Sequence, residues 1–170
     1  MVQSVEQHRA EGPQVLQVAV LTISDTRTTE TDTSGALIAN LAREAGHIVA
    51  DHAILPDEPE LMRNALADYS RRTGLHAVLV TGGTGISARD QTYETISALL
   101  TKPLPGYGEL FRMLSYAEIG PAAMMSRAVG GLIGELVVLV MPGSRAGVEL
   151  AMTRIILPEL PHLVQQAWKR

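Results

Sequence analysis

The sequence contains no cysteine among its 170 residues. This absence excludes disulfide bonds, thiol nucleophiles and thiolate metal sites, and it is compatible with a reducing compartment. Phenylalanine and tryptophan occur once each, so stacking against nucleic-acid bases is not a major theme of this protein. The 14 basic residues are scattered along a chain of net charge −4. We therefore expect no nucleic-acid partner, because no basic stripe is present to contact a phosphate backbone.

Long hydrophobic runs are also missing. The longest, "LVVLVM" from Leu136, is too short to span a bilayer, and the N-terminal "MVQSVEQHRAEGPQ" has no apolar core of the kind found in signal peptides. We therefore expect a cytoplasmic protein without a membrane partner. The hydrophobic content of 46% is enough for one core, which predicts a flexible N-terminal arm over residues 1–14 and a single domain over residues 15–170.

Strand and helix patterns alternate through the first half of the chain. Residues 15–23, 47–55 and 76–81 are aliphatic runs typical of strands in a parallel sheet. Helical periodicity follows the first run up to Gly46, and it returns over residues 58–72 and again over residues 91–100. This alternation predicts an α/β fold with a mostly parallel sheet and helices on both faces.

The second half of the chain is less regular. Helical patterns predict two more helices, over residues 105–120 and 121–128. The segment "VGGLIGELVVLVMPG" predicts a small hairpin that turns at Gly134-Glu135. The last helical segment, from residue 145 onward, contains Pro158 and Pro161. Each proline is expected to end or kink that helix, because proline lacks the backbone N–H that the helix needs.

The segment "TGGTG", residues 81–85, follows the third predicted strand. Successive glycines there can turn backbone N–H groups toward an anion, and the next helix adds the positive end of its dipole. A nicotinamide-binding motif is rejected because no acidic residue closes a strand about 20 positions later, and a P-loop is rejected because no lysine is present. The remaining alternative is a simple tight turn. Thr81, Thr84 and the following Arg89-Asp90 favour a phosphate site, since a turn requires none of them.

Two carboxylates, Asp57 and Asp90, lie just past predicted strand ends and are expected at one edge of the sheet. Together they suggest a site for Mg²⁺ held through one or two carboxylate oxygens with waters retained. Two alternatives stay open at this point. Asp57 and Glu60 have the spacing of a helix capping box, and Asp90 could pair with Arg89 or cap a helix.

Other polar residues have ordinary explanations. Asp25, Asp32 and Ser34 lie in the loop after the first strand, where an Asx-turn or a helix cap is the default interpretation. The five histidines show no metal-binding spacing, and His52 is interpreted as structural. The apolar helix faces around Leu114 and Met124 fit either the core or a subunit interface.

Several sequence blocks, in order, resemble the MoaB/MogA family of molybdenum cofactor biosynthesis proteins, and they are closer to its MoaB branch. The blocks are "LTISDTR", "LPDE", "TGGTGISARDQT", "PGYGELFRMLSYAEIG", "MSRAVGG" and "VMPGS". The resemblance implies a three-layer α/β/α sandwich that assembles as a homotrimer, or as a hexamer of two trimers. It also implies that molybdopterin and ATP are substrates, that Mg²⁺ is the cofactor, and that the reaction is adenylyl transfer with release of pyrophosphate.

The resemblance also assigns roles to individual residues. Asp57 and Asp90 match the acidic residues needed for catalysis and are the candidate Mg²⁺ ligands. The expected pterin-, phosphate- and nucleotide-binding residues are Ser24, Asp32, Ser34, Gly82, Gly83, Thr84, Gly85, Ser126, Pro142, Gly143 and Ser144. The chain departs from the family after Asp90, where Val-Thr-Pro-Glu-Ala is common and Gln-Thr-Tyr-Glu-Thr stands here, so the next helix starts without its proline.

Two other functions fit the same residues. One is a non-catalytic carrier that hands molybdopterin to a separate metal-insertion enzyme of the pathway. The other is a nucleotide hydrolase on a similar fold, which would turn over ATP without any pterin.

Overall fold

The computed structural model describes residues 13–169. All but the last two residues of the predicted arm, residues 1–14, therefore lie outside the described part of the chain. The strands are β1 Gln17–Ile23, β2 Ile48–Leu55, β3 Ala77–Thr81, β4 Lys102–Pro103, β5 Val129–Ile133 and β6 Leu136–Met141. The α-helices are α1 Thr33–Glu44, α2 Pro59–Arg71, α3 Thr92–Leu99, α4 Pro105–Ile119, α5 Arg145–Ala151 and α6 Leu157–Trp168. A 3₁₀-helix, Gly120–Met125, follows α4 where the sequence predicts a short helix.

All six strands form one sheet in the order β2-β1-β3-β6-β5-β4. The pairs β1–β2, β1–β3 and β3–β6 are parallel, whereas β5 runs antiparallel to both β6 and β4. The β5–β6 hairpin turns at Gly134, whose φ of +62° suits glycine. Strand β4 was not predicted from the sequence; its Pro103 lies at the sheet edge, where a missing N–H costs no ladder hydrogen bond.

Helices cover both faces of the sheet, because alternate residues of each buried strand point to opposite sides. On one face, Val18 and Val20 pack with α1, α4, α5 and α6. On the other face, Ala19 and Leu21 pack with α2 and α3. Each fully buried aliphatic side chain stabilises the fold by roughly 1.5–3 kcal/mol. The structure therefore has the expected three α/β/α layers with a mostly parallel sheet and a small hairpin.

Neither proline ends the last helix, so that part of the prediction is wrong, although an irregular turn lies directly before Pro158. The chain stays helical from α5 through a π-helical turn, Met152–Ile156, into α6. In this wider turn the Leu157 N–H donates to the Met152 carbonyl, so Pro158 falls in the first turn of α6, where its missing donor is tolerated. Pro161 loses one bond, but the fully buried Leu160 and Val164 around it offset that loss.

Among residues 13–169, no helix is both long and apolar enough to cross a membrane.

Candidate functional site

The loops that follow β1, β2, β3 and β6 meet at one edge of the sheet, because the carboxyl ends of parallel strands point the same way. A cavity of about 210 Å³ opens between the loops after β1, β3 and β6. Six of the expected ligand-binding residues line it: Ser24, Asp32, Ser34, Gly82, Gly83 and Gly143. The fold thus brings together residues that are up to 119 positions apart in the chain.

The first two glycines of the loop after β3 are required by space and by backbone conformation. Gly82 has a φ of +94°, and a Cβ there would lie 2.2 Å from the Ile23 carbonyl oxygen. Gly83 has a φ of +60°, and a Cβ there would lie 2.1 Å from Thr92 Oγ1 and 2.3 Å from Asp57 Oδ2. No other L-residue fits either position without moving its neighbours. The loop is therefore both a tight turn and a close approach to two other segments.

The same loop presents unused backbone donors. Within residues 13–169, the N–H groups of Gly83, Thr84, Gly85 and Ile86 donate to no acceptor in the protein. Consecutive free N–H groups after a strand form the kind of concave donor set that binds phosphate oxygens. The loop can therefore accept an anion without giving up any internal hydrogen bond.

Asp57, in the loop after β2, is held by a backbone N–H and a side-chain carboxylate from two other loops. Its Oδ1 accepts the Gln91 N–H at 3.1 Å, and its own N–H donates to Asp25 Oδ1 at 3.0 Å. Only 4% of the residue is exposed. Burial raises the pKa of the Asp57 carboxyl, the Gln91 hydrogen bond opposes this, and the charges of Asp90 and Asp25 raise the pKa further.

The capping-box alternative for Asp57 is wrong. The residue that caps α2 is Glu58, it makes no side-chain cap hydrogen bond, and Pro59 begins the helix. Proline at the first helical position has no N–H to satisfy. The Asp57 carboxylate is consequently free to face the loop after β3 instead of its own helix.

Asp90 is held only within its own loop. Its Oδ2 accepts hydrogen bonds from Ser87 Oγ at 2.5 Å and from the Ser87 N–H at 3.1 Å. Gly85 lies directly beside it, since a Cβ on Gly85 would be 2.5 Å from Asp90 Oδ2. The residue that caps α3 is Gln91, and Arg89 pairs elsewhere, so both structural alternatives for Asp90 are wrong.

Arg89, which the sequence placed beside the glycine loop, also joins three of the loops, and this bridging role was not predicted. Its guanidinium binds both oxygens of Asp25 at 2.7 and 2.8 Å and Glu58 Oε1 at 2.8 Å. The hydrogen bonds from Arg89 to Asp25 lower the pKa of Asp25 to about 2, and the hydrogen bond from the Asp57 N–H makes a smaller contribution. Its partners are 31 and 64 residues away, so no local sequence pattern identifies the cluster.

Arg127, just before β5, was not singled out from the sequence. Its Nε donates to the Thr84 carbonyl at 2.9 Å, and a terminal N–H donates to the Gly85 carbonyl. The guanidinium also pairs with Glu94 and lies 5.0 Å from the Tyr93 ring centre. The block "MSRAVGG" was the only signal in the sequence that included it.

Two of the expected binding residues in the loop after β1 already have partners. Asp32 caps α1, as the default interpretation predicted: its Oδ1 accepts the Gly35 N–H at 2.8 Å. Its Oδ2 accepts the Thr22 hydroxyl at 2.6 Å and lies 3.2 Å from His52 Nε2. Ser24 Oγ accepts two backbone N–H groups of its own loop. These side chains shape the cavity wall, and Asp32 has no oxygen left without a partner.

The remaining expected residues divide between two cavities. Ser34 lies in the main cavity, where its Oγ donates to the Gly143 carbonyl at 2.8 Å. Ser126, Pro142 and Ser144 line a neighbouring cavity of about 110 Å³ beside α4 and α5. Ser144 also caps α5 by accepting the Gly147 N–H at 3.2 Å. The structure therefore separates these three residues from the cavity beside the glycine loop.

The fold and this edge define a class: a three-layer α/β/α protein whose polar residues gather at the carboxyl ends of parallel strands, where such proteins hold their ligands. Residues 19–162 match the family described as "Probable molybdopterin binding domain". The chain therefore belongs to the MoaB/MogA family of molybdenum cofactor biosynthesis proteins.

Individual relatives agree with this assignment. Molybdenum cofactor biosynthesis protein B from Bacillus anthracis is 50% identical over 161 residues, covering 94% of this chain and 95% of that protein. A crystal structure of a molybdenum cofactor biosynthesis protein B is 48% identical with a TM-score of 0.90, covering 94% of this chain and 100% of that one. The tungsten cofactor synthesizing protein MoaB from Pyrococcus furiosus is 35% identical with a TM-score of 0.82, covering 92% and 99%. These matches confirm the family and the fold that the sequence blocks indicated.

Proposed function

We propose that this protein acts in molybdenum cofactor biosynthesis as a nucleotidyltransferase that adenylylates molybdopterin. An oxygen of the terminal phosphate of molybdopterin attacks the α-phosphorus of ATP, the bond from that phosphorus to the β-phosphate oxygen breaks, and pyrophosphate leaves. The observation that carries the proposal is the run of free N–H donors from Gly83 to Ile86 beside two carboxylates. The names of the relatives supply the pathway.

The geometry suits this chemistry because phosphoryl transfer asks a protein mainly to position anionic reactants and to stabilise charge. The free N–H groups are suited to bind phosphate oxygens, and the Gly82 and Gly83 conformations keep that surface in place. A cavity of about 210 Å³ opens beside the loop and another of about 110 Å³ opens beside α4 and α5, and each can take part of the pterin or of the nucleotide. No nucleophilic side chain is required.

The carboxylates fit Mg²⁺ only in its usual role as a partly hydrated ion. Within the described residues, no group of three or more His, Cys, Asp or Glu side chains could form a metal cage. Asp57 and Asp90 would supply one or two oxygens, with waters and phosphates completing the shell. The raised pKa of Asp57, due to burial and to the charges of Asp90 and Asp25, marks a place where a cation is favourable. When bound there, Mg²⁺ supplies positive charge to neutralise the phosphates.

A non-catalytic molybdopterin carrier is the second candidate function. One observation favours it: Arg89 and Arg127 are both paired with carboxylates, so neither is free to stabilise the additional charge of a triphosphate. Arg27, which lines the main cavity and makes no ion pair among residues 13–169, is another arginine close to the loop. Such a carrier would hold the pterin phosphate on the loop and pass it to a separate metal-insertion enzyme.

The two functions are separated by measuring binding and turnover on the same samples. Molybdopterin and Mg·ATP are titrated calorimetrically into wild type and Asp90→Asn, followed by a pyrophosphate-release assay. Asp68→Asn is the matched control, since Asp68 is exposed and its ion pair, with Arg71, lies on α2, away from the loops. Adenylyl transfer requires that wild type and the control release pyrophosphate. Asp90→Asn should bind molybdopterin and Mg·ATP but release no pyrophosphate. Pterin binding without release by any of them establishes the carrier, and ATP turnover without pterin establishes a hydrolase.

We also propose that the chain assembles as a homotrimer or as a hexamer of two trimers. The support is the exposed apolar surface on α4 and the 3₁₀-helix, where Met124 is 80% exposed; Leu114, by contrast, packs against the core. The other exposed apolar residues there are Leu110, Met113, Tyr116, Ile119 and Met125. Sedimentation velocity of wild type and Met124→Asp tests this assembly, and a monomeric wild type would contradict it.

A further inference from the structure

Arg127 contacts the glycine loop through the backbone and through no loop side chain. Its guanidinium reaches the carbonyls of two consecutive residues, Thr84 and Gly85. Its other N–H groups bind both carboxylate oxygens of Glu94, on the first turn of α3. The side chain is only 22% exposed, and the Tyr93 ring supports it. One guanidinium therefore ties the loop to the helix that follows it.

These contacts fix which way the loop donors point. In a trans peptide unit the C=O and the next N–H are antiparallel, and the described chain has no cis peptide bond. Because the Thr84 carbonyl faces Arg127, the Gly85 N–H points away from Arg127. The same holds for the Gly85 carbonyl and the Ile86 N–H. Both N–H groups belong to the run that finds no acceptor within residues 13–169.

We infer that Arg127 is the positioning residue of the anion-binding loop. It does not bind the ligand; it holds two carbonyls on one side so that two N–H groups remain presented on the other. This inference rests on the proposed anion-binding role of the loop. Lysine cannot replace arginine here, because one ammonium lacks the planar fork that reaches two carbonyls and a carboxylate together.

A purely structural role does not account for these contacts equally well. Glu94 is 54% exposed, and exposed ion pairs add little to stability. Gly85 and Ile86 are also exposed. The Arg127 contacts therefore stabilise the conformation of the loop more than they stabilise the fold.

The first test measures binding of inorganic pyrophosphate, in the presence of Mg²⁺, to wild type, Arg127→Lys, Arg127→Gln and Arg127→Ala. We expect Kd to rise about 10- to 100-fold in all three variants, the size of a lost charge-assisted hydrogen-bond set. Added guanidinium should restore binding to Arg127→Ala. Arg112→Gln is the matched control, since Arg112 is half-buried and makes no ion pair within the described residues. Near-normal binding by Arg127→Lys would overturn the inference, because it would show that charge alone suffices.

The second test needs no ligand. Amide NMR of the apo-proteins reports the loop directly, and thermal unfolding reports the fold. We expect Arg127→Lys to shift or broaden the Gly85 and Ile86 amide signals while its midpoint of unfolding stays close to that of wild type. Unchanged loop signals would overturn the inference. If wild type binds no pyrophosphate, the proposed function fails, whereas the NMR result still decides the role of Arg127.

Discussion

The loops after β2 and β3 each contribute one carboxylate to the same edge, but they hold it in different ways. Asp57 is nearly buried and is fixed by the Gln91 N–H and the Asp25 carboxylate, which belong to other loops. Asp90 is more exposed and is fixed by Ser87, three residues before it. The position of Asp57 is therefore set by the tertiary fold, and that of Asp90 by local loop geometry. We therefore expect these two residues to respond differently to substitution, although the same role is expected of both.

The largest effect is expected from substitutions that test whether the two carboxylates act as one unit. Asp57→Asn and Asp90→Asn should each slow pyrophosphate release by about 100- to 1000-fold, because charge stabilisation at a metal site contributes several kcal/mol. The double variant should be no slower than the worse single variant, since groups that share one cation are not additive. Steady-state release assays measure this. Additive losses would show that the carboxylates act separately.

Alanine at the glycine beside each carboxylate should affect stability differently, because the surroundings of Asp57 and Asp90 differ. Gly83→Ala forces a Cβ against Asp57 and Thr92 at a φ of +60°, so we expect a loss of about 1–3 kcal/mol in the free energy of unfolding. That corresponds to a midpoint lower by roughly 2–4 °C per kcal/mol.

Gly85→Ala should cost less than about 0.5 kcal/mol, because Gly85 is exposed and Asp90 can move aside. Gly106→Ala is the control, with nothing within 4 Å of its new Cβ. Thermal unfolding measures all three. Equal losses for Gly83→Ala and Gly85→Ala would remove the proposed difference between the surroundings of Asp57 and Asp90.

The pH dependence of stability should identify the buried carboxylate. Burial raises the pKa of Asp57 in the folded state, and the Gln91 hydrogen bond, which lowers the pKa, offsets only part of this rise. Folding therefore favours its protonated form, and stability is lost as the pH rises through the folded-state pKa. Asp57→Asn should raise the midpoint of unfolding at pH 7, and this gain should shrink as the solution is acidified toward the ordinary range of carboxyl groups.

Unfolding curves of wild type, Asp57→Asn and the exposed control Asp68→Asn, each recorded against pH, test this expectation. Mg²⁺ should raise the midpoint of wild type at pH 7 more than that of Asp57→Asn. A variant that is less stable than wild type at every pH would show that the Asp57 carboxylate stabilises the apo-protein.

The smallest expected effect concerns the local support of Asp90. Ser87→Ala removes the hydroxyl donor but leaves the Ser87 N–H bonded to the carboxylate. We expect a fewfold loss in pyrophosphate release, on the order of one hydrogen bond, and little change in stability. Ser70→Ala, which removes an exposed hydroxyl on α2, is the control. A loss as large as that of Asp90→Asn would mean that Ser87 itself contacts the reactants.

Much of the fold follows from the sequence because its signals are local. Strands β3 and β6 are continuous runs of buried aliphatic residues, and the hairpin turns at the glycine that the sequence indicated. The uninterrupted last helix could not be predicted, because burial of Leu160 and Val164 outweighs a local proline penalty. The two-residue strand β4 is defined only by its pairing with β5.

The candidate site, like the fold, was predicted from the sequence only in part. The rule that ligands lie at the carboxyl ends of parallel strands located Asp57, Asp90 and the glycine loop at one edge. It could not assign Arg89 or Arg127, because an arginine side chain is long and its partners here are 31 to 64 residues away. It also did not separate Ser126 from the main cavity, since two neighbouring cavities open at the same edge.

The bridge made by Arg89 has a consequence for the thermodynamics of binding. By linking Asp25 and Glu58 to its own loop, it already restricts three surface segments that would otherwise have to be ordered by the ligand. Less conformational entropy is then lost on association, so more of the contact energy remains as affinity. Because the bridge is exposed, salt screens it. The entropy of association should therefore become less favourable as ionic strength rises, even for a ligand that never contacts Arg89.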